Sequence, residues 1–186
     1  MLNDTPVIAG RVEWLPAERL GQAKIEAGVR TWLIGKGLLT QRLKDVCGDA
    51  FRLRLIEQNT GLLQAAHRVA LLRNDTAGLF REVKMYCREE VWVYAQTVIP
   101  DSTLTRHPWL AELGDAALGE TLSALSGVDR SSYEYAWLPA SEPIAVRALN
   151  GADIAPAGLW ARRYRFTLHS QPLLVQELFF PAIGQL

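Results

Sequence analysis

The chain has 186 residues, 49% of them apolar and 22% charged, with 14 glycines and 9 prolines; that globular mixture excludes a disordered tail, a collagen-like chain and a coiled coil. Lysine and arginine number 20, as do aspartate and glutamate, and no like charges run together, so nucleic acid is not expected as a partner. A chain of this length buries roughly 70% of its unfolded surface, enough for one core, and a single domain over 1–186 is expected. No apolar stretch approaches the ~18 residues of a membrane span, and Met1 to Arg11 carry Asp4 and Pro6 in place of a basic start and an apolar run. The expectation is a cytoplasmic protein with no membrane segment, and a monomer.

Hydrophobic spacing then orders the elements. Ile25, Val29, Trp32 and Leu33 recur at helical intervals, Gly35 and Gly37 interrupt, and Leu39, Leu43 and Val46 start a second short helix, which together make a helical hairpin. Phe51, Leu53 and Leu55 alternate with Arg52, Arg54 and Ile56 as in a strand with one wet face. A long polar loop is expected around His67 and Asn74. Leu79 to Cys87 alternates again and places Arg81 on the parity of Leu79, Val83, Met85 and Cys87. Arg88-Glu89-Glu90 turn the chain into Val91 to Ile99, a β-branched and aromatic run stopped by Pro100, so the two segments form an antiparallel hairpin.

A second helical pair follows. Asp101 and Ser102 are capping types, Pro108 suits a first turn, Gly114 suits a helix end, and Asp115 is expected to cap a helix carrying Leu118, Leu122 and Leu125. Ser132 to Leu138 reads as a strand. Pro139 to Gly158 shows no clear period and is expected as a mobile surface connection. Trp160 to Leu168 puts Trp160, Tyr164, Phe166 and Leu168 on one face with Arg162 among them; His169 to Pro172 turn, and Leu173 to Phe180 return. The fold class is α+β, an antiparallel sheet of five or six strands with two helical hairpins.

Cys47 and Cys87 form no CxxC pair and sit in apolar surroundings, so both are expected as buried thiols that act as small hydrophobes. His67, His107 and His169 lie apart, with no partner at metal-ligand spacing, and no metal site is read. Gly35-Lys36-Gly37 lacks the spacing of a phosphate loop. The informative charges are Arg81 and Glu177, each lodged in an apolar strand where an unpaired ion costs several kcal/mol. Two readings follow from this pattern: they pair with each other or with Arg162, or they face a cavity and bind a small polar ligand.

Leu39-Thr40-Gln41-Arg42-Leu43, Arg81-Glu82-Val83, Tyr94 to Pro100, Leu113-Gly114 with Leu118-Gly119-Glu120, Trp160-Ala161-Arg162-Arg163 and Glu177-Leu178-Phe179-Phe180-Pro181 follow one another in an order that resembles the chorismate lyase family, from about Trp32 to Pro181. The resemblance implies a six-stranded antiparallel sheet with two helical flaps sealing an internal cavity. It also implies release of pyruvate from chorismate to leave 4-hydroxybenzoate, without a cofactor, as a first step toward ubiquinone. Arg81 then matches the arginine that holds the ring carboxylate and Glu177 the glutamate at the ring hydroxyl. Leu39 and Leu118 match flap positions whose backbone closes over the ligand. Gln96 stands where the family usually carries an arginine, and is expected in the substrate site with its charge lost. The stretch from Pro139 to Gly158 is longer than the family pattern. A binding domain for small aromatic carboxylates on the same fold is the alternative.

Overall fold

The structure is a computed structural model that describes residues 12–152 and 155–185. Its frame is one antiparallel sheet built from β1 (Leu15–Pro16), β2 (Phe51–Leu62), β3 (Ala77–Cys87), β4 (Glu90–Pro100), β5 (Val128–Arg130), β6 (Glu134–Pro139), β7 (Gly158–Leu168) and β8 (Gln171–Phe179). They run in the order β1-β6-β7-β8-β4-β3-β2, with β5 also paired to β7. Among the described residues the sheet therefore has eight strands, where six were expected. The difference is local. β6 covers Gly158–Arg163 of β7 and β5 covers Phe166–Leu168, so the two lie along one edge of β7 with a break between them, and β1 adds a two-residue pairing to β6.

The helices are α1 (Ala27–Leu33), α2 (Leu39–Cys47), α3 (Ala65–Leu71), α4 (Asp101–Arg106), α5 (Leu118–Ser123) and α6 (Pro143–Leu149). Strand parity divides the core into two layers, since successive side chains point to opposite faces. On one face α1 and α2 pack through Val29, Trp32, Leu33, Leu39 and Leu43 onto Val83, Met85, Val93 and Phe179. Beside them α5 brings Leu118 and Leu122 to Tyr164, Phe166 and Val175. On the other face α6 lays Ala145, Ala148 and Leu149 on Tyr94, Ala161 and Leu178. Close contact fixes α1, because a Cβ on Gly28 would stand 2.2 Å from the Gly184 carbonyl oxygen; glycine is required where backbones approach this closely.

Two loop expectations and one capping expectation are corrected. The polar loop around His67 contains α3, whose first turn is closed by a reciprocal Gln64–His67 capping box. The connection from Pro139 to Gly158 contains α6, with Pro143 in the first turn, and its Ala145, Ala148 and Leu149 join the core; residues 153–154 lie outside the described residues. Asp115 does not cap α5; Ala117 stands there, and the Asp115 carboxylate accepts the Leu55 backbone N–H at 2.6 Å, tying that loop to β2.

The cysteines differ from expectation as well. Cys47, the last residue of α2, is joined to Cys87, the last of β3, in a disulfide across 40 positions with a Cα–Cα distance of 5.6 Å. Closing a loop of that length restricts the unfolded chain by about 4 kcal/mol on the chain-entropy account. Disulfides persist in oxidising compartments and are rare in reducing ones, so the redox state of the surroundings sets whether this bridge contributes. A urea unfolding curve with a thiol reductant should shift to lower midpoint than one without, and a Cys47→Ser/Cys87→Ser protein should show the lower midpoint in both buffers.

Candidate active site

Arg81, on β3, and Glu177, on β8, project from the same sheet face with β4 between them. Arg81 is opposite Thr97 and Glu177 opposite Ala95, so small side chains floor the space between the two charges. That space is a pocket of about 40 Å³ whose walls include Arg81, Glu177, Ala95, Thr97, Tyr164 and Arg130, and whose roof is Gly37–Thr40 and Ala117–Gly119. Leu39 and Leu118 therefore both border it. Each is the first residue of its helix, and neither helix has a side-chain cap; leading N–H groups of a helix have no intrahelical acceptor.

Arg81 is 2% exposed. Its Nη2 donates to the carbonyls of Gly114 at 2.7 Å and Ala116 at 2.8 Å, while its Nε is buried without a partner. Gly114 has φ +51°, a left-handed conformation that favours glycine and turns its carbonyl toward the arginine. Among the described residues Arg81 joins no ion pair. Burial lowers its pKa from the usual arginine value, and the nearby Asp115 charge opposes that shift.

Glu177 is committed on both oxygens. Its Oε2 accepts from Arg162 Nε at 2.5 Å and its Oε1 from the Tyr164 hydroxyl at 3.1 Å. Arg162, 1% exposed, also directs Nη1 at the carbonyls of Trp32, Leu33 and Gly35 at 3.1 to 3.4 Å, where α1 ends. Helix ends leave such carbonyls without an intrahelical N–H donor, and a cation there is favoured. Burial disfavours the Arg162 cation, but the Glu177 charge and the phenols of Tyr133 and Tyr164 outweigh it, so its pKa lies above the ordinary value. Burial and the Glu177 charge push the Tyr164 phenol well up, which keeps it a donor. Of the two readings for buried charge, ion pairing describes Glu177 with Arg162, and an open donor describes Arg81.

Gln96 is not in this site, which corrects the expectation for it. It lies on the opposite face of β4, donating to Glu82 Oε1 at 3.1 Å and accepting from Gln176 Nε2 at 3.2 Å. Glu82, 3% exposed, takes its cation from Arg147 of α6, whose Nε donates to the same oxygen at 2.6 Å. Spacing alone had not separated the faces of β4, because Val91 to Ile99 is apolar on both parities. Arg162 and Tyr164 were visible as strand residues, but their contact with Glu177 depends on hairpin register.

A second hollow, of about 280 Å³, adjoins the pocket through Thr40, Leu53 and Ala117 and lies between α2 and α5. Lys44 of α2 crosses it to both carboxylate oxygens of Glu120 on α5, at 2.8 and 2.9 Å.

Comparison with known proteins decides the family. The chorismate lyase family profile matches residues 8–185. The chain belongs to the chorismate lyase family. A relative from Nitrosospira multiformis named "Probable chorismate pyruvate-lyase" is 34% identical over 177 residues, covering 94% of this chain and 96% of the relative. One of the same name from Methylococcus capsulatus is 37% identical over 166 residues, covering 83% and 96%. Solved structures similar to this member of the family include the effector domain of PhnF from Mycobacterium smegmatis, with TM-score 0.57, 17% identity and coverage of 81% of this chain and 92% of that one. The C-terminal domain of the histidine utilization repressor from Pseudomonas syringae pv. tomato has TM-score 0.55 and 10% identity, and covers 73% and 95%. These two likenesses are of fold. Among the described residues no helix is long and apolar enough to cross a membrane.

Proposed function

We propose that the protein is a chorismate lyase that forms 4-hydroxybenzoate and pyruvate. The observation that carries this reading is the pocket itself, with the unpartnered Nε of Arg81 and the carboxylate of Glu177 on either side of Ala95 and Thr97. The ring carboxylate of chorismate pairs with the Arg81 cation through its unpartnered Nε, and the ring hydroxyl donates to a free lone pair of Glu177. Leu39 and Leu118 cover the ligand from the roof. In the reaction the bond from the ring to the enolpyruvyl oxygen breaks, the hydrogen on the hydroxyl-bearing ring carbon leaves, and a proton returns to the enolpyruvate as it becomes pyruvate. Atoms and electrons balance within the substrate, and aromatisation supplies the driving force. The protein's part is to hold chorismate dry and oriented while charge moves toward the leaving oxygen. In a ubiquinone-making cell the product serves as that quinone's ring precursor.

Purified protein incubated with chorismate should release pyruvate and 4-hydroxybenzoate in equal amounts. Tight binding of 4-hydroxybenzoate without release of pyruvate would instead support the alternative, a binder of small aromatic carboxylates.

A pocket of about 40 Å³ admits a few waters, since one needs about 10–15 Å³ on the same measure, so a ring with two side groups enters only if the roof moves. In this reading α2 and α5 part at Lys44 and Glu120, and product release follows the same path. A Lys44→Cys/Glu120→Cys pair, crosslinked in a Cys47→Ser/Cys87→Ser background, should stop multiple turnovers, with reduction restoring them. Turnover at the normal rate while crosslinked would show that the helices are not gates.

A further inference from the structure

The pocket's charges do not balance by themselves. Of its lining residues Arg81, Arg130 and Glu177 are charged, and Glu177 is already neutralised by Arg162. Two cations are thus left over for the occupant. Arg162 cannot serve as the second, since its Nε holds Glu177 and its Nη1 is spent on the end of α1. Gln96 and Arg147 are on the far face, and Lys44 is bound to Glu120.

Arg130 closes β5, paired to Phe166 of β7, at the exposed mouth of the pocket. Its guanidinium carbon stands 4.9 Å from the Tyr133 ring centroid and 5.7 Å from that of Tyr164. Such stacking orients a guanidinium while leaving its N–H fork free. Among the described residues no carboxylate pairs with it. Tyr164 in turn holds Glu177 through its hydroxyl, so the aromatic shelf under Arg130 is continuous with the group assigned to the ring hydroxyl.

We propose that Arg130 is a substrate-binding residue for the second, departing carboxylate of a dianionic substrate, and thereby sets selectivity for chorismate over its monoanionic ring product. This rests on the lyase reading for the name of the dianion, while the preference for two carboxylates over one rests on the pocket's two free cations. Losing one charge from the ligand as pyruvate departs removes the Arg130 contact, which favours release of what remains.

The test compares two ligands in Arg130→Gln and Arg130→Lys proteins. For Arg130→Gln, KM for chorismate should rise roughly tenfold to hundredfold, the range of one charge-assisted hydrogen-bond contact, while the Kd of 4-hydroxybenzoate stays within about twofold. Arg130→Lys should recover part of the loss. Thermal melting should be unchanged, because the side chain is exposed. Equal losses for both ligands, or no loss for chorismate, would overturn the assignment. If the unaltered protein binds chorismate without cleaving it, the lyase reading fails, and the same comparison is made on dissociation constants; binding of neither ligand overturns both.

Discussion

An Arg81→Ala protein is expected to fold and to lose 4-hydroxybenzoate binding by about 2–5 kcal/mol, the usual cost of truncating one member of a buried hydrogen-bonded charge pair. The sign follows from what Arg81 does in the empty site. Its Nη2 is occupied by two carbonyls, so the side chain is held in place before ligand arrives, and its Nε is buried with no acceptor. A ligand carboxylate thus meets a donor whose ordering cost is already met. Removing it also frees Gly114 and Ala116 from the sheet and loosens the entry to α5, so the unfolding midpoint should fall as well. Arg81→Lys should rescue weakly, since a point cation cannot hold two carbonyls and a carboxylate at once. Isothermal titration with 4-hydroxybenzoate beside a urea melt separates the two effects. Unchanged affinity would remove Arg81 from the site.

The second large effect is at Arg162. Arg162→Met should destabilise the fold by about 3–5 kcal/mol, because it leaves Glu177 as an unpaired buried carboxylate and also strips the Trp32, Leu33 and Gly35 carbonyls of a donor. Arg162→Met/Glu177→Leu should regain much of that stability, since a buried ion pair exchanged for apolar groups of similar size is often near neutral. The double variant should nevertheless be inactive toward chorismate. Denaturant midpoints for the two single variants and the double variant read the coupling directly. A single Arg162→Met with unchanged midpoint would mean that water replaces the guanidinium without cost.

These two arginines illustrate what the sequence could and could not show. Arg81 was legible because one charge interrupts an alternating apolar strand. The Arg162–Glu177 contact was legible only as one of two open readings, because choosing it depends on the loop between β7 and β8. His169 and Ser170 both have positive φ, at 46° and 66°, as in the two-residue turn whose twist suits a hairpin; that turn places Arg162 opposite Glu177. A four-residue turn leaves the register open. Between β3 and β4 the pairing shifts at Trp92, since Met85 faces Val93 and Tyr86 faces Val91, so counting back from the turn cannot place Gln96.

The helices that were missed fail for a different reason. Among α3 residues only Leu71 is buried, and Val69 is 70% exposed, so no apolar stripe marks the helix. The buried face of α6 is two alanines and a leucine, which is a weak hydrophobic signal for a well-packed helix. The bridge between Cys47 and Cys87 joins the ends of two separately legible elements, and nothing in either element points to the other. Helices at the roof of the pocket were legible because glycines punctuate them and large apolar residues recur.

Helix α6 also restricts the order in which this chain can change. Glu82 draws its cation from Arg147, and Gln96 adds only an amide. A chain that shortened the connection after Pro139 while keeping Gln96 would pass through a buried carboxylate with no counter-charge. A chain that first exchanged Gln96 for arginine would carry two cations at one carboxylate until the helix was lost. Positions 96 and 147 are therefore coupled through Glu82, which is left with a full counter-charge only while one of the two carries a cation.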